Sequence, residues 1–529
     1  MTTSSLGSSL GSSLGSSLGS SLGLAGVQSK GCHNCRRRRR RCDRSYPTCH
    51  KCSIDGEDCL GYGRILRWAN APATKGKLAL PQPFSHAVET DTSLVLLERQ
   101  TTTSIRPSLI DPLFSGLSRA SHFYIHHFTT AVCPDLVSLD QLDRNPFRAM
   151  IPLVDRFPYL QAIVIATSAM HLATLHQSRT RQQPSPPKRT SSASSLFMID
   201  ALAAKARAIN LLHTAIANIT LTSQAAVLAA IVFFINLDLI DSGKGGWKAH
   251  IEAAGSLMAS LHRRNHELDS SVGPLADAIA ADCLTYRILG STITGVESIS
   301  TSMQDGIDVL AVLRRAEAHS YHCCPPLIMH VILAASKLCG CGVDEDGDGQ
   351  DGVERVVAAV ELLRQAREFD VREWVYGIKG LSAHDDLEVR VHLAMAHRAA
   401  ACLYIMLAVP GDSLFGCSFS PDELVLEIFS ALSCIPDEHV LLKGTVWPTF
   451  MAGAQTDDLG WRAWCMQRLM AVWTESPYIC PWGYVRTATQ MLQDVWVAKE
   501  KGFVEDVEGW GRMNWLQELK GLRKNCLIV

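Results

Sequence analysis

Three things are scarce in these 529 residues: strand-like alternation, unbroken apolar runs and net charge. The longest apolar run, residues 225–235, is about half of the roughly 20 residues a membrane-spanning helix needs, and Asn236 and Asp238 follow it. It reads as a buried helix, and no membrane partner is expected. The N-terminus has no charged segment followed by a continuous apolar stretch, so a secretory leader is not expected. A formal charge of −2 excludes a protein that is basic throughout. Also missing are a nucleotide-binding glycine loop, a zinc-protease motif and a credible catalytic triad, so no enzyme is expected and no residue is assigned a catalytic role.

What is present is unevenly distributed. Residues 30–77 hold 13 Lys and Arg against 4 acids, a local excess of nine positive charges that leaves −11 for the remainder. A small basic module on a large acidic body points to a polyanion partner for the module alone. Eighteen cysteines without a leader indicate a reducing compartment, where thiols bind metal or sit in cores. Residues 4–23 are five copies of Ser-Ser-Leu-Gly, which cannot form a core, so residues 1–29 are expected to be a disordered tail.

Residues 63–118 read as a linker with Pro breakers and one short helix at 93–99. No sustained heptad follows the cysteines, so a coiled-coil seam is not supported there. From residue 119 to 529 the pattern is helical, with core-helix spacing at 121–130, 159–177, 198–217, 223–239 and 245–261. It recurs at 327–339, 352–369, 387–408, 421–432, 462–475 and 484–499. Two surface loops are expected, a Ser/Pro/Arg-rich stretch at 178–195 and an acidic one at 344–352. The fold class is therefore mostly α, a small cysteine module at 30–62 followed by a large all-α body.

The module carries Cys32, Cys35, Cys42, Cys49, Cys52 and Cys59, two Cys-x2-Cys pairs each followed by a third cysteine after six residues. Zinc prefers four thiolates in a tetrahedron. One zinc would leave two thiols idle, and two zincs need eight bonds from six sulfurs, which requires two bridging cysteines. The first six-residue gap is Arg36 to Arg41 without interruption. Six guanidiniums on about one and a half turns of helix repel one another unless phosphates neutralise them. A helix carrying them suits the major groove, where arginine bonds guanine O6 and N7 in a bidentate manner. The same run suits a nuclear import signal. His33 and His50, inside the x2 loops, are read as bystanders or phosphate contacts.

This segment, with Asp43 after the third cysteine and Pro47 between the halves, resembles the fungal zinc binuclear cluster DNA-binding domain. The resemblance implies two zinc ions: Cys32, Cys35, Cys42 and Cys49 around one, and Cys49, Cys52, Cys59 and Cys32 around the other, with Cys32 and Cys49 bridging. It implies double-stranded DNA containing CGG-type triplets as the partner, with Arg38 and Arg39 on base edges and Arg36 and Arg41 on phosphates. Arg40 stands where the family often has an apolar residue, which implies looser helix packing or greater phosphate contact.

The remainder resembles the second type of fungal-specific transcription factor domain, found in arginine- and GABA-responsive regulators. The resemblance is carried by Gly61-Tyr62-Gly63-Arg64-Ile65-Leu66-Arg67-Trp68, Asn145-Pro146-Phe147-Arg148, Gly245-Gly246-Trp247-Lys248-Ala249-His250 and Val446-Trp447-Pro448-Thr449-Phe450-Met451-Ala452-Gly453. It implies an all-α regulatory domain and a nuclear, sequence-specific regulator of RNA polymerase II genes. A homodimer and transcriptional coregulators are further candidate partners. The competing reading is a helical interaction protein whose zinc module docks protein or RNA.

Other motifs in the body point to structure. Asp344, Asp346, Asp348 and Gly349 begin like a calcium loop, but the twelfth position is Arg355 and the eighth Asp351. Gly411-Asp412-Ser413-Leu414 copies an esterase signature without a preceding strand. His319, His322, Cys323 and Cys324 are irregularly spaced for a metal. Cys283, Cys402 and Cys434 are read as buried thiols, and Trp461, Trp464, Trp473, Trp482 and Trp496 as core.

Overall fold

The computed structural model describes residues 31–45, 49–55, 59, 117–181, 191–220, 223–264, 273–294, 307–340, 349–382, 385–409, 420–474, 482–505, 514–521 and 526–529. The expected tail, the linker helix at 93–99, Pro47, the Asp344–Asp346–Asp348 run and Ser413 lie outside the described residues. The chain divides into two units, Met1–Ile105 and Arg106–Val529. In the first, two short helices are described, α1 (His33–Arg37) and α2 (His50–Ile54).

The second unit is helical, and among the described residues it has two isolated bridges and no strand. α3 (Arg119–His127) runs through a wide turn at Phe128–Val132 into the short α4 (Cys133–Asp135). Then come α5 (Pro158–Arg181), α6 (Ser191–Ala217), α7 (Gln224–Asp241), α8 (Trp247–Arg264), α9 (Gly273–Ile293), α10 (Val309–Ala316) and α11 (Pro326–Gly340). The rest are α12 (Gly349–Glu368), α13 (Val371–Gly377), α14 (Leu387–Ala408), α15 (Pro421–Ser433), α16 (Val446–Gln455), α17 (Leu459–Thr474), α18 (Tyr484–Glu505) and α19 (Trp515–Gly521).

Helix α7 lies between α5, α8 and α9, and residues 226–240 are buried without a break. Helices α5, α7 and α14 are long and apolar enough to cross a membrane by composition, but most of each is buried inside the body. The polar residues on such helices find one another. The Tyr286 hydroxyl donates to Asn236 Oδ1 at 2.7 Å, joining α9 to α7. The Ser291, Ser336 and Tyr404 hydroxyls form a chain with 2.9 Å steps across α9, α11 and α14. Buried polar atoms without such partners each cost about 1–3 kcal/mol.

Helix α15 shows local chemistry agreeing with packing. Ser420 Oγ accepts from the Glu423 N–H at 3.2 Å, the Glu423 carboxylate accepts from the Ser420 N–H at 2.6 Å, and Pro421 opens the helix.

Several boundaries differ from the sequence reading. The expected loop at 178–195 is helical at both ends: α5 reaches Arg181 and α6 begins at Ser191. Ser194 Oγ donates to the Ala173 carbonyl at 3.1 Å, so contact with α5 overrides the poor helix propensity of serine. The acidic loop expected at 344–352 is likewise helical from Gly349. Helix α8 begins at Trp247 and not at Gly245, whose φ of 136° is incompatible with a helix. Six helices of the body lie outside the stretches expected from sequence: α4, α9, α10, α13, α16 and α19. Helix α9 is buried on every side from Ala281 to Ile293, so it has no polar stripe to mark its period.

Of the motifs that carried the resemblance, Gly61 to Trp68 lies outside the described residues, and the others are packing elements. Trp247 is fully buried, and a Cβ on Gly290 would lie 2.9 Å from its ring, so α9 must have glycine where that ring sits. Trp447 is also buried; its Nε1–H donates to Thr292 Oγ1 at 3.2 Å and its ring stacks on His397. Asn145 caps a short helical turn, and Arg148 pairs with Asp140 through both guanidinium nitrogens. Trp473 and Trp482 are buried, Trp461, Trp464 and Trp496 pack against the core, and Cys283 and Cys402 are buried. Cys434 is a correction: it is exposed, because it lies just past the last residue of α15 and points outward.

Candidate metal centre and nucleic-acid interface

The six module cysteines come together as two overlapping groups of four. In each group the sulfurs of Cys32, Cys35, Cys42 and Cys49, or of Cys32, Cys49, Cys52 and Cys59, lie within 4.8 Å of one another. Cys32 and Cys49 belong to both. Their sulfurs are 3.5 Å apart, with Cys35–Cys49 at 3.7 Å and Cys32–Cys52 at 3.8 Å. A zinc ion with four sulfurs at about 2.3 Å sets an edge of about 3.8 Å between them. The donor set therefore fits two ions that share two sulfurs.

The two halves repeat the same local structure. Cys32 and Cys49 each precede a five-residue helix and accept a hydrogen bond from the N–H of the cysteine three residues on, at 3.4 and 3.3 Å. The third cysteine of each half accepts from the N–H of the first: Cys32 to Cys42 Sγ at 3.3 Å and Cys49 to Cys59 Sγ at 3.4 Å. Such N–H donors stabilise thiolates. Burial works against them, pushing the Cys32 thiol up to about 12 and the Cys49 thiol higher still. Both are fully buried, so their ionised forms require a cation at close range. Gly31 is needed for closure, because a Cβ there would come within 2.8 Å of the Cys42 Cβ.

Asp43, which sequence reasoning noted without a role, bonds to the start of α2. Its carboxylate accepts from the N–H groups of His50 at 2.9 Å and Lys51 at 3.3 Å, and from the Ser45 hydroxyl. These bonds, the Ser45 hydroxyl foremost, hold its carboxyl well below the usual range. Asp43 thereby ties the end of the first half to the start of the second.

The arginine run is not one helix, contrary to the sequence reading. Helix α1 ends at Arg37, Arg38 is its cap, and Arg39 has a φ of 53° in the left-handed region. The Arg40 N–H donates to the Cys35 carbonyl at 3.0 Å and the Arg39 N–H to the Arg36 carbonyl at 3.2 Å, a pattern that closes a helix C-terminus, usually with glycine at the left-handed position. The reason is the metal. Cys42 is seven residues after Cys35, and a continued helix would carry it about 10 Å away, far outside the sulfur group it joins. The chain must turn back within the arginines.

That turn sorts the side chains. Arg36, Arg37, Arg38, Arg39 and Arg41 are exposed. Arg40 is half-buried and pairs with Asp55 just past α2, so the departure at this position provides a link between the halves in place of looser packing or phosphate contact. Arg38 also approaches Asp55, at 3.6 Å. His33 is half-buried and His50 exposed, and neither is in the sulfur groups.

In the body, the cluster His319, His322, Cys323 and Cys324 does not form a metal group among the described residues. His322 is fully buried, while His319 and Cys324 line a cleft with Asp282 and Thr285.

Comparison with known proteins agrees with both parts of the chain. Residues 30–69 match the fungal Zn(2)-Cys(6) binuclear cluster domain, and residues 122–525 match the fungal specific transcription factor domain. A curated relative, the acriflavine sensitivity control protein acr-2 of Neurospora crassa, is 45% identical over 95% of this chain and 97% of its own length. No solved structure matches.

Proposed function

The chain belongs to the fungal-specific transcription factors that carry a Zn(2)-Cys(6) cluster, and from that premise we propose that it is a nuclear regulator of RNA polymerase II genes reading CGG-type triplets in double-stranded DNA. As a member it is a zinc-containing, DNA-binding transcription regulator with two zinc ions as cofactor. In the proposed assignment Cys32, Cys35, Cys42 and Cys49 hold one ion and Cys49, Cys52, Cys59 and Cys32 the other. The zinc supplies cross-linking that folds the module, since metal binding and folding are one equilibrium. The body transmits regulation to coregulators.

The observation that carries the reading is the placing of five exposed arginines on this sulfur-held scaffold. Arg39 is the most telling. A non-glycine residue in the left-handed region costs about 1–2 kcal/mol, and here that cost places a guanidinium at the tip of the turn. In the proposed complex Arg38 and Arg39 reach guanine edges, Arg38 exchanging its distant contact with Asp55 for a base, while Arg36 and Arg41 meet phosphates. Arg40 stays with Asp55.

The test is binding of Arg39→Ala to matched and scrambled duplexes. It should weaken the matched site by about 1–3 kcal/mol and relax sequence choice, whereas Arg36→Ala should weaken all duplexes alike and lower the salt dependence. Unchanged discrimination in Arg39→Ala would remove the base-reading role. A wild-type module binding random duplex and single strands as well as CGG-containing duplex would favour the interaction-protein reading.

A further inference from the structure

Helix α9 carries an acidic side chain that the rest of the body does not answer. Two carboxyl side chains are buried among the described residues, Asp238 and Asp282. Asp238 holds Lys205 Nζ at 2.9 Å through Oδ1. Asp282 is 8% exposed, and its Oδ2 has no hydrogen-bond partner. Burial, with no contribution from a neighbouring charge, raises its carboxyl well above the usual range. An ionised carboxylate is costly in such a place, and most buried polar groups are satisfied. The unmatched group calls for an explanation, and its position supplies one.

Asp282 lines a cleft of about 450 Å³, open mouth included, between α9, α10 and the start of α11. Phe147, Leu313 and Met329 give it apolar walls, and Thr285 and Ser320 stand beside them. No lysine or arginine lines it. A second carboxyl, Glu317, accepts from the Trp374 indole N–H at 3.0 Å. His319 is neutral, because burial and then the charges of Arg390 and Arg144 push it below its ordinary 6.5. Arg390 is not part of the lining and donates to Ser138 Oγ at 2.7 Å. Helix α10 brings its C-terminal, negative end to the cleft at Ala316. Helix α11 begins on it at Pro326, whose nitrogen has no proton to offer an anion.

We propose that this cleft binds a small organic ammonium ion, which donates an N–H to Asp282 Oδ2 and lays its apolar group against Phe147, Leu313 and Met329. Other ligand classes fit the lining less well. An anion meets two carboxyls and no cation. A neutral apolar molecule leaves Oδ2 without a partner, and a quaternary ammonium has no N–H to give it. A primary ammonium has three donors, one for Asp282 and two for the hydroxyls of Thr285 and Ser320 or the carboxylate of Glu317. On binding, Asp282 gives up its proton to solvent and an ion pair replaces a neutral acid, so one charge enters the cleft as one leaves. The volume is toward the small end for ligand sites, which limits the ligand to a single ring or a short chain. The site lies in the body and does not depend on what the module reads.

Calorimetric titration of the full-length, zinc-loaded chain tests this, with benzylamine and propylamine as probes and benzyl alcohol and benzoate as their neutral and anionic counterparts. Benzylamine should bind once per chain with a Kd of about 1 mM or tighter, an ordinary affinity for so small a ligand. Propylamine should bind more weakly, benzyl alcohol at least about tenfold more weakly than benzylamine, and benzoate not at all. Asp282→Asn keeps the side chain's shape and removes its charge. It should weaken benzylamine binding at least about tenfold with helix content and zinc content unchanged. The wild-type comparisons stand whether or not that variant folds. A benzylamine bearing a diazirine should label α9, α10 or α11 on irradiation. Four results would each overturn the proposal: no binding of either amine up to about 10 mM, benzyl alcohol binding as tightly as benzylamine, a folded Asp282→Asn variant that binds benzylamine unchanged, or labelling confined to other parts of the chain.

Discussion

The module and the body reach a fold by opposite routes. Among its described residues the module buries Cys32, Cys35, Cys49 and Cys52 and little else of an apolar kind, so its structure is expected to depend on metal. The body buries continuous apolar surface on α5, α7, α9 and α14, and Cys133, Cys283, Cys402, Cys465 and Cys526 are ordinary residues of that core. A thiol is thus indispensable in one region and replaceable in the other. The difference lies in what surrounds it: other sulfurs within 4.8 Å in the module, and apolar side chains in the body.

The sharpest way to break this comparison is Cys49→Ser, which removes a sulfur common to both groups. It should abolish two-zinc binding and DNA binding, since structural zinc contributes on the order of 10 kcal/mol to folding such modules. The thermal transition of the body should stay within about 1 °C of wild type, as measured by calorimetry and metal analysis on one sample. Loss of the body transition would show that the two regions are not independent.

Acid should separate them next. Burial holds His127 down to about 3, His397 down to about 4, and His322 well below its ordinary value. A histidine kept neutral in the folded state binds fewer protons than in the unfolded chain, so its contribution is lost as pH falls below about 6.5, at about 1.4 kcal/mol per unit. Asp282 acts in reverse: burial raises it, so it costs stability as pH rises above about 4 and offsets part of the histidine effect. Burial lowers His250 and His319 as well, so the net expectation is a body stability that falls from pH 6.5 to 4. A flat denaturation profile over that range would contradict it.

A smaller effect comes from Gly290→Ala. The added Cβ would press on Trp247 and should destabilise the body by about 1–3 kcal/mol while leaving zinc content at two. The mirror experiment in the module is Asp43→Ala, which removes the acceptor for the His50 and Lys51 N–H groups. It should cost about 1 kcal/mol, read as easier zinc loss to a chelator with an unchanged body. The smallest change compares Arg39→Gly with Arg39→Ala. Both lose the guanidinium, but glycine relieves the left-handed backbone, so the Gly variant should hold zinc more firmly by about 1 kcal/mol. Equal zinc retention would mean that the turn carries no strain.

The same contrast governs what was legible in the sequence. Metal chemistry converts spacing into geometry almost directly: six cysteines at x2 and x6 intervals must share sulfurs to hold two zincs, and Cys32 and Cys49 fall in both sulfur groups. Even so, the arginine helix was misread. The signal was available, because Cys42 cannot return to Cys35 along a continuing helix, but a run of six helix-tolerant residues hides the turn. In the body, α14 was legible end to end, and α15 was legible from Pro421 at its start. Helix α9 was not, because a segment buried on all sides loses the polar stripe that reveals a period, and α16 was hidden behind Pro448 in its first turn. The meaning of Trp247 and Trp447 was also out of reach, since it depends on Gly290 and Thr292, distant in sequence.

The central claim is that a six-thiolate, two-zinc module displays arginines to read DNA. Its most direct test is selection of the zinc-loaded full-length chain on a randomised duplex library, with zinc counted on the same sample. Two zincs per chain with enrichment of CGG-type triplets is the result predicted. Two zincs with no enriched sequence would contradict the reading mechanism, and a single zinc per chain would contradict the shared-sulfur centre itself.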